Sequence, residues 1–169
     1  MAGTFEFIGP YTCDQGIAVI DSAQQAPLGL IIQAFDTGSD ARGVGEFIYL
    51  KGVASTAIAS AVTYTADDWS TALTDQNAVG PVALAMSACV ADKYGWYQIS
   101  GKGAATAADA VADNAQIYIH TDAGELSDTL VAGDVIYRMR AASAQASGSG
   151  GALDVELHRP DCNDLLLVN

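Results

Sequence analysis

Apolar and polar positions along this chain alternate in short runs, broken about every eight to fifteen residues by Gly, Pro, Asn or Asp. That punctuation predicts an all-β fold, a mainly antiparallel sandwich or barrel. The predicted strands are Leu28–Phe35, Val44–Lys51, Ala61–Tyr64, Ser70–Thr74, Val82–Met86, Trp96–Ser100, Gln116–Thr121, Asp134–Arg140 and Leu153–His158. In the last of these Leu153, Val155 and Leu157 oppose Asp154, Glu156 and His158. In the one before, Val135, Tyr137 and Met139 oppose Arg138 and Arg140. Both therefore carry a core face and a wet face. The strand at Val44–Lys51 differs: Phe47 and Tyr49 point one way, Ile48 and Leu50 the other, and both sets are apolar. A strand apolar on both faces is predicted to lie buried between two layers, or between one layer and a partner subunit.

Three stretches depart from this pattern. Ala104–Asn114 is alanine-rich with acidic residues at 109 and 113, and its propensity predicts a short helix. Ala144–Gly151 reads as a flexible surface loop between the last two strands. Residues 1–27, with Pro10, Gly16 and Pro27, read as an irregular arm preceding a single β-rich domain at 28–169. The apolar run Leu165–Val168 is expected to be covered by the core or by a neighbour.

A chain of 169 residues is long enough to bury an independent core. Charged residues make up only 16% of it, against 50% hydrophobic, so much of the exterior is expected to be hidden in stable contacts with other subunits. The seven Lys and Arg against twenty Asp and Glu give a formal net charge of -13. Such a surface repels phosphate backbones and anionic lipid, which excludes nucleic acid and membrane as expected partners. The N-terminal residues lack a basic region followed by an apolar core, and the longest apolar stretch, Ala78–Ala91, is interrupted by Gly80 and Pro81. Neither a signal peptide nor a membrane-spanning helix is expected. Cys13, Cys89 and Cys162 are odd in number and lack paired spacing, and they read as free thiols.

Candidate chemistry is sparse. Phe35-Asp36-Thr37-Gly38-Ser39 looks like the active-site tripeptide of aspartic proteases, whose mechanism needs two carboxylates sharing one proton. A single copy supplies the pair only in a homodimer, and Asp-Thr-Gly-Ser is also an ordinary turn after a strand. His120 and His158 have no nucleophile or ligand pattern beside them. Asp67-Asp68, Asp122 with Glu125, and Asp161 with Asp164 each offer oxygens but no full calcium loop, and they read as turns. The glycines form no phosphate-cradling loop, and no cofactor is expected. Gly95, inside Tyr94-Gly95-Trp96-Tyr97, suits a bulge or a close backbone approach.

Two segments carry a resemblance. Gly45-Glu46-Phe47-Ile48-Tyr49-Leu50-Lys51-Gly52-Val53 is followed by Ala78-Val79-Gly80-Pro81-Val82-Ala83-Leu84-Ala85-Met86 and by Lys93-Tyr94-Gly95-Trp96-Tyr97-Gln98-Ile99-Ser100-Gly101. Together they resemble the capsid decoration, or cement, proteins of tailed bacteriophages, over roughly a third of the chain. The resemblance implies a non-enzymatic subunit, a homotrimer bound to the major capsid protein on the outer face of the shell and stabilising it. It also implies assembly in the host cytoplasm and a final place in the virion. The candidate contacts with capsid or neighbouring subunit are Phe5, Phe7 and Ile8 of the arm with Phe47, Tyr49 and Trp96 of the motif strands. Simple core packing is the alternative for the aromatics. A tail- or fibre-associated component and a dimeric aspartic protease are the other readings.

Overall fold

A computed structural model describes residues 5–8, 13–146 and 150–163. These form eleven strands and, among the described residues, no helix. The strands are β1 Phe5–Ile8, β2 Ile31–Asp36, β3 Val44–Lys51, β4 Ala61–Tyr64, β5 Thr71–Leu73, β6 Gly80–Ala85, β7 Tyr94–Ala107, β8 Gln116–Ile119, β9 Leu126–Ser127, β10 Val135–Ala141 and β11 Gly151–Cys162. They belong to one sheet in the order β1-β2-β3-β7-β9-β8-β10-β11-β6-β4-β5, in which β7 also pairs with β11 and with β6. The ladder β7-β9-β8-β10-β11 thus returns to β7 and closes a small barrel, while β1-β2-β3 extends from it as a wing. Every ladder between these strands is antiparallel except that of β7 with β9.

β7 can serve both parts because it is long: its first half pairs with β3, and Ser100–Ala107 pair with β11. The turn between these partners falls at Gly101, whose φ of +95° suits only glycine, and where a Cβ would stand 2.6 Å from the Val44 carbonyl oxygen. Gly95, by contrast, pairs regularly with Leu50. Its lack of a side chain admits Cys89 Sγ and Ser87 Oγ, which a Cβ would meet at 3.2 and 3.3 Å, so the close approach, and not the bulge, explains it.

The helix predicted over Ala104–Asn114 is overturned. Ala104–Ala107 end β7, pairing with Asp154–Gly151 of β11, and the remainder turns back through an isolated bridge between Val111 and Gln145. Cross-strand pairing outweighs alanine's helix propensity, which amounts to tenths of a kilocalorie per residue. The arm is likewise more structured than expected. Phe5–Ile8 is an edge strand on β2, and Gln15, Ile17 and Ala26 are buried in the core. Residues 1–4 and 9–12, residues 147–149 of the predicted loop, and the run Leu165–Val168 lie outside the described residues.

β3 separates two apolar layers, as its pattern predicts. Phe47 and Tyr49 join Trp96, Ile17, Ile32 and Met86 on one side. Ile48 and Leu50 join Val62, Ala83, Tyr97 and Ile99 on the other. The barrel interior is a third cluster, made of small and aliphatic side chains that include Ala105, Ile117, Ile136, Leu153, Val155 and Leu157. The alternation in β11 holds, but that predicted for β10 does not. Ile136 and Met139 are buried while Tyr137 and Arg138 are exposed. The register to β11 slips between Tyr137 and Met139, with Arg138 in a left-handed conformation at φ 61°. An inserted residue resets which side chains face inward.

Candidate functional site

The wing presents two unlike faces. Residues directly opposite across antiparallel strands share a face, and the pairs Ile8 with Gln33, Glu6 with Phe35, Phe35 with Val44, and Gln33 with Glu46 fix which side chains stand together. On the inner face Phe7, Ile32, Ala34 and Phe47 close over Trp96. On the outer face Ile8, Ile31, Phe35 and Val44 are exposed at 44, 42, 39 and 54%. Large apolar side chains grouped on one solvent face mark an interaction surface more often than scattered ones do. At the edge of this strip an ion pair ties Glu46 to Arg159 of β11, with Nε to Oε2 at 2.9 Å. That contact draws the outer face of β3 toward the barrel.

The candidate contact residues divide between these faces. Phe47, Tyr49 and Trp96 are fully buried, so the core reading replaces the contact reading for all three. Trp96 lies 5.0 Å from Tyr49 and 5.8 Å from Phe7 between ring centroids, which makes Phe7 a half-buried lid on the same cluster. Tyr49 Oη donates to Gln15 Oε1 at 2.5 Å, and Trp96 Nε1 donates to the Gln15 carbonyl oxygen at 3.1 Å. Aromatic residues with such polar handles are retained inside when the handle has a partner. Ile8 alone of the six stands in the exposed strip, and the Phe5 side chain lies outside the described residues. Ile31, Phe35 and Val44 were not legible as surface residues. Their neighbours Ile32 and Ala34 are equally apolar, so pattern gave no sign of which face of β2 meets water.

The sparse candidate chemistry is also located. Asp36 ends β2 and holds the loop to β3: its Oδ1 accepts from Gly38 N at 2.8 Å and its Oδ2 from Arg42 N at 3.1 Å. Both oxygens serve a turn, the use expected of Asp at that place. His120 lies between Asp109 and Asp122, each 3.4 Å from a different ring nitrogen, and its Nδ1 accepts from Asp122 N. The two carboxylates stand on opposite sides of the ring and do not converge. Asp68 caps the β4–β5 turn by accepting from Ser70 N and Oγ, while Asp161 receives a hydrogen bond from Arg138 at 2.6 Å; Asp164 is outside the described residues. No group of three His, Cys, Asp or Glu among the described residues gathers to hold a metal ion.

None of the three cysteines is in a disulfide. Burial pushes the Cys162 thiol up to about 11, and burial likewise raises the Cys89 thiol and the Tyr97 phenol beside it. These groups are neutral at physiological pH. No helix among the described residues is long and apolar enough to cross a membrane.

No family model, curated protein or solved structure matches this chain.

Proposed function

We propose that this protein is a virion structural subunit, a head decoration protein that binds the major capsid protein on the outer surface of an assembled phage shell and stabilises it. The observation that carries the proposal is the group of exposed Ile8, Ile31, Phe35 and Val44 on the outer face of β1-β2-β3, large apolar side chains set beside Glu6, Gln33 and Glu46 as at the surfaces a permanent partner covers. Its Val44 stands at the start of the strand Val44–Lys51, which also bears the resemblance to cement proteins. The net charge of -13 disfavours a place against packaged DNA and favours the exterior. A homotrimer is the assembly that would match a three-fold site on such a shell.

The test is to mix the purified protein with expanded heads that lack it, sediment the particles, and follow their melting by calorimetry. The wild-type chain is expected to travel with the heads and raise their melting temperature. The variant Phe35→Ser with Val44→Ser, altered only on the exposed strip, is expected to fold normally and stay in the supernatant. Binding to purified tails and not to heads would transfer the protein to the tail or fibre. Sedimentation velocity of the free protein reads the trimer directly.

A further inference from the structure

We propose that the recess on the outer face of β8, β10 and β11 is a binding site for a carboxylate side chain presented by a partner protein. The recess has a volume of about 350 Å³ and is lined by Asn114, Gln116, Arg138, Arg140, Glu156 and His158. Its shape comes from two irregularities in β10. Toward β8, Val135 pairs with Tyr118 and Arg140 with Gln116, so the four residues 136–139 span what Ile117 alone spans opposite. The Gln116 side-chain amide bends into the resulting gap, donating to the Ile136 and Met139 carbonyl oxygens at 2.7 and 3.3 Å. Toward β11, Tyr137 pairs with Asp161 and Met139 with Leu157, so Arg138 faces His158, Arg159 and Pro160 together.

Both arginines at this crossing are left-handed, Arg138 at φ 61° and Arg159 at φ 51°. Such a conformation costs a side-chain-bearing residue about 1–2 kcal/mol, and bulges that hold it serve to re-aim side chains beside functional sites.

Charge points the same way. Of only seven Lys and Arg in a chain of net charge -13, Arg138, Arg140 and Arg159 fall on this two-stranded ribbon, with His158 beside them. Arg159 is committed to Glu46, and Arg138 already holds Asp161 at 2.6 Å on the rim. Arg140 is exposed and makes no salt bridge among the described residues, although Glu156 stands opposite it in register. A guanidinium with free donors next to an imidazole suits the two oxygens of one carboxylate. Glu156 in the same lining, and the overall negative charge, repel a phosphate dianion or a polyanion more strongly than a single carboxylate, which carries one charge. The contact serves a shell subunit and any other virion protein alike, so it stands apart from the assignment to the head.

The experiment is a titration of the full chain, followed by the NMR signals of the arginine guanidinium and histidine imidazole groups. The probes, at matched ionic strength, are a blocked Gly-Asp-Gly-Glu-Gly peptide, its Asn and Gln counterpart, and inorganic phosphate. The acidic peptide is expected to shift the Arg140 and His158 signals saturably. Arg140→Gln is expected to weaken that binding at least about fivefold, the loss of one charge-assisted hydrogen bond. His158→Gln provides a second variant, and both substitutions lie at exposed positions. The proposal is overturned if no shift saturates, if the neutral peptide or phosphate acts equally, or if Arg140→Gln binds as the wild type does.

Discussion

The cluster around Trp96 and the cluster around Leu153 differ in what fixes their side chains. The first is built on aromatic rings and has a buried amide within it. Gln15 donates through Nε2 to the Val19 and Tyr94 carbonyl oxygens, both at 2.7 Å, accepts from Tyr49 through Oε1, and through its carbonyl accepts from Trp96. The second, inside the barrel, holds alanine, valine, isoleucine, leucine, methionine and Cys162, and among the described residues it contains no aromatic side chain. In the first, partners and angles determine the arrangement; in the second, volume does, save for the Cys162 thiol, which donates to the Gly80 carbonyl oxygen. Directional bonds specify a unique arrangement but make the loss of any partner costly, whereas an aliphatic core tolerates exchanges that conserve volume.

That difference is open to direct attack. The largest effect is expected from Trp96→Ala, which removes the centre of the aromatic cluster and its bond to Gln15 together. It should cost about 3–5 kcal/mol in urea unfolding followed by circular dichroism, enough to unfold a marginal domain. Next comes Gln15→Met, nearly equal in volume, which leaves the buried Tyr49 hydroxyl without its acceptor and takes one donor from each of the part-buried Val19 and Tyr94 carbonyls, and should cost about 2–3 kcal/mol. The matching change in the barrel, Leu153→Met, is expected to cost under about 1.5 kcal/mol. Equal losses from these last two, measured as shifts in urea midpoint at unchanged slope, would erase the distinction between the clusters.

The smallest expected effect lies outside both. Asp154 on β11 accepts from Arg42 Nη2 at 3.1 Å and pairs with Lys102 Nζ at 3.0 Å, tying the β2–β3 loop to the barrel. Burial alone would raise its pKa, but the hydrogen bonds from Lys102 and Arg42 outweigh burial and hold it below the ordinary 3.8. A carboxyl depressed on folding stabilises the protein above its unfolded value, and that contribution disappears as pH falls through the folded value. Asp154→Asn should therefore cost no more than about 1 kcal/mol at neutral pH for such a partly exposed network. The gap from wild type should narrow below pH 3.8, read as urea midpoints across a pH series.

Much of this fold is legible in the sequence where burial and residue type change together. Val44–Lys51 and Ala61–Tyr64 have the predicted bounds, and β3 is apolar on both faces because it has a cluster on each. Elsewhere the two part company. From Gly103 to Ala107 burial alternates strictly, yet four of the five residues are alanine or glycine, so the alternation leaves no trace in composition. Arg138 is an insertion that only the partner strands reveal. Gln15, polar and in an irregular segment, carries no local sign that Tyr49 and Trp96 will close around it. The candidate surfaces were harder still: the exposed strip and the basic recess are made by register, which joins residues far apart in the chain.

The shared strand β7 also sets an order of events during synthesis. All members of the aromatic cluster lie between Phe7 and Trp96, so that half of the molecule has its complete set of side chains once β7 has left the ribosome. The barrel does not, because Leu153, Val155 and Leu157 belong to β11, the last of the described strands. Until β11 arrives, Ser100–Ala107 wait without their main partner, a long unpaired edge of small side chains. Pairings so distant along the chain close slowly and leave such edges open to other copies in the meantime. A nascent chain stalled before Gly151 would thus hold a formed wing beside an unfinished barrel, and crowding on the polysome is where its misassembly would begin.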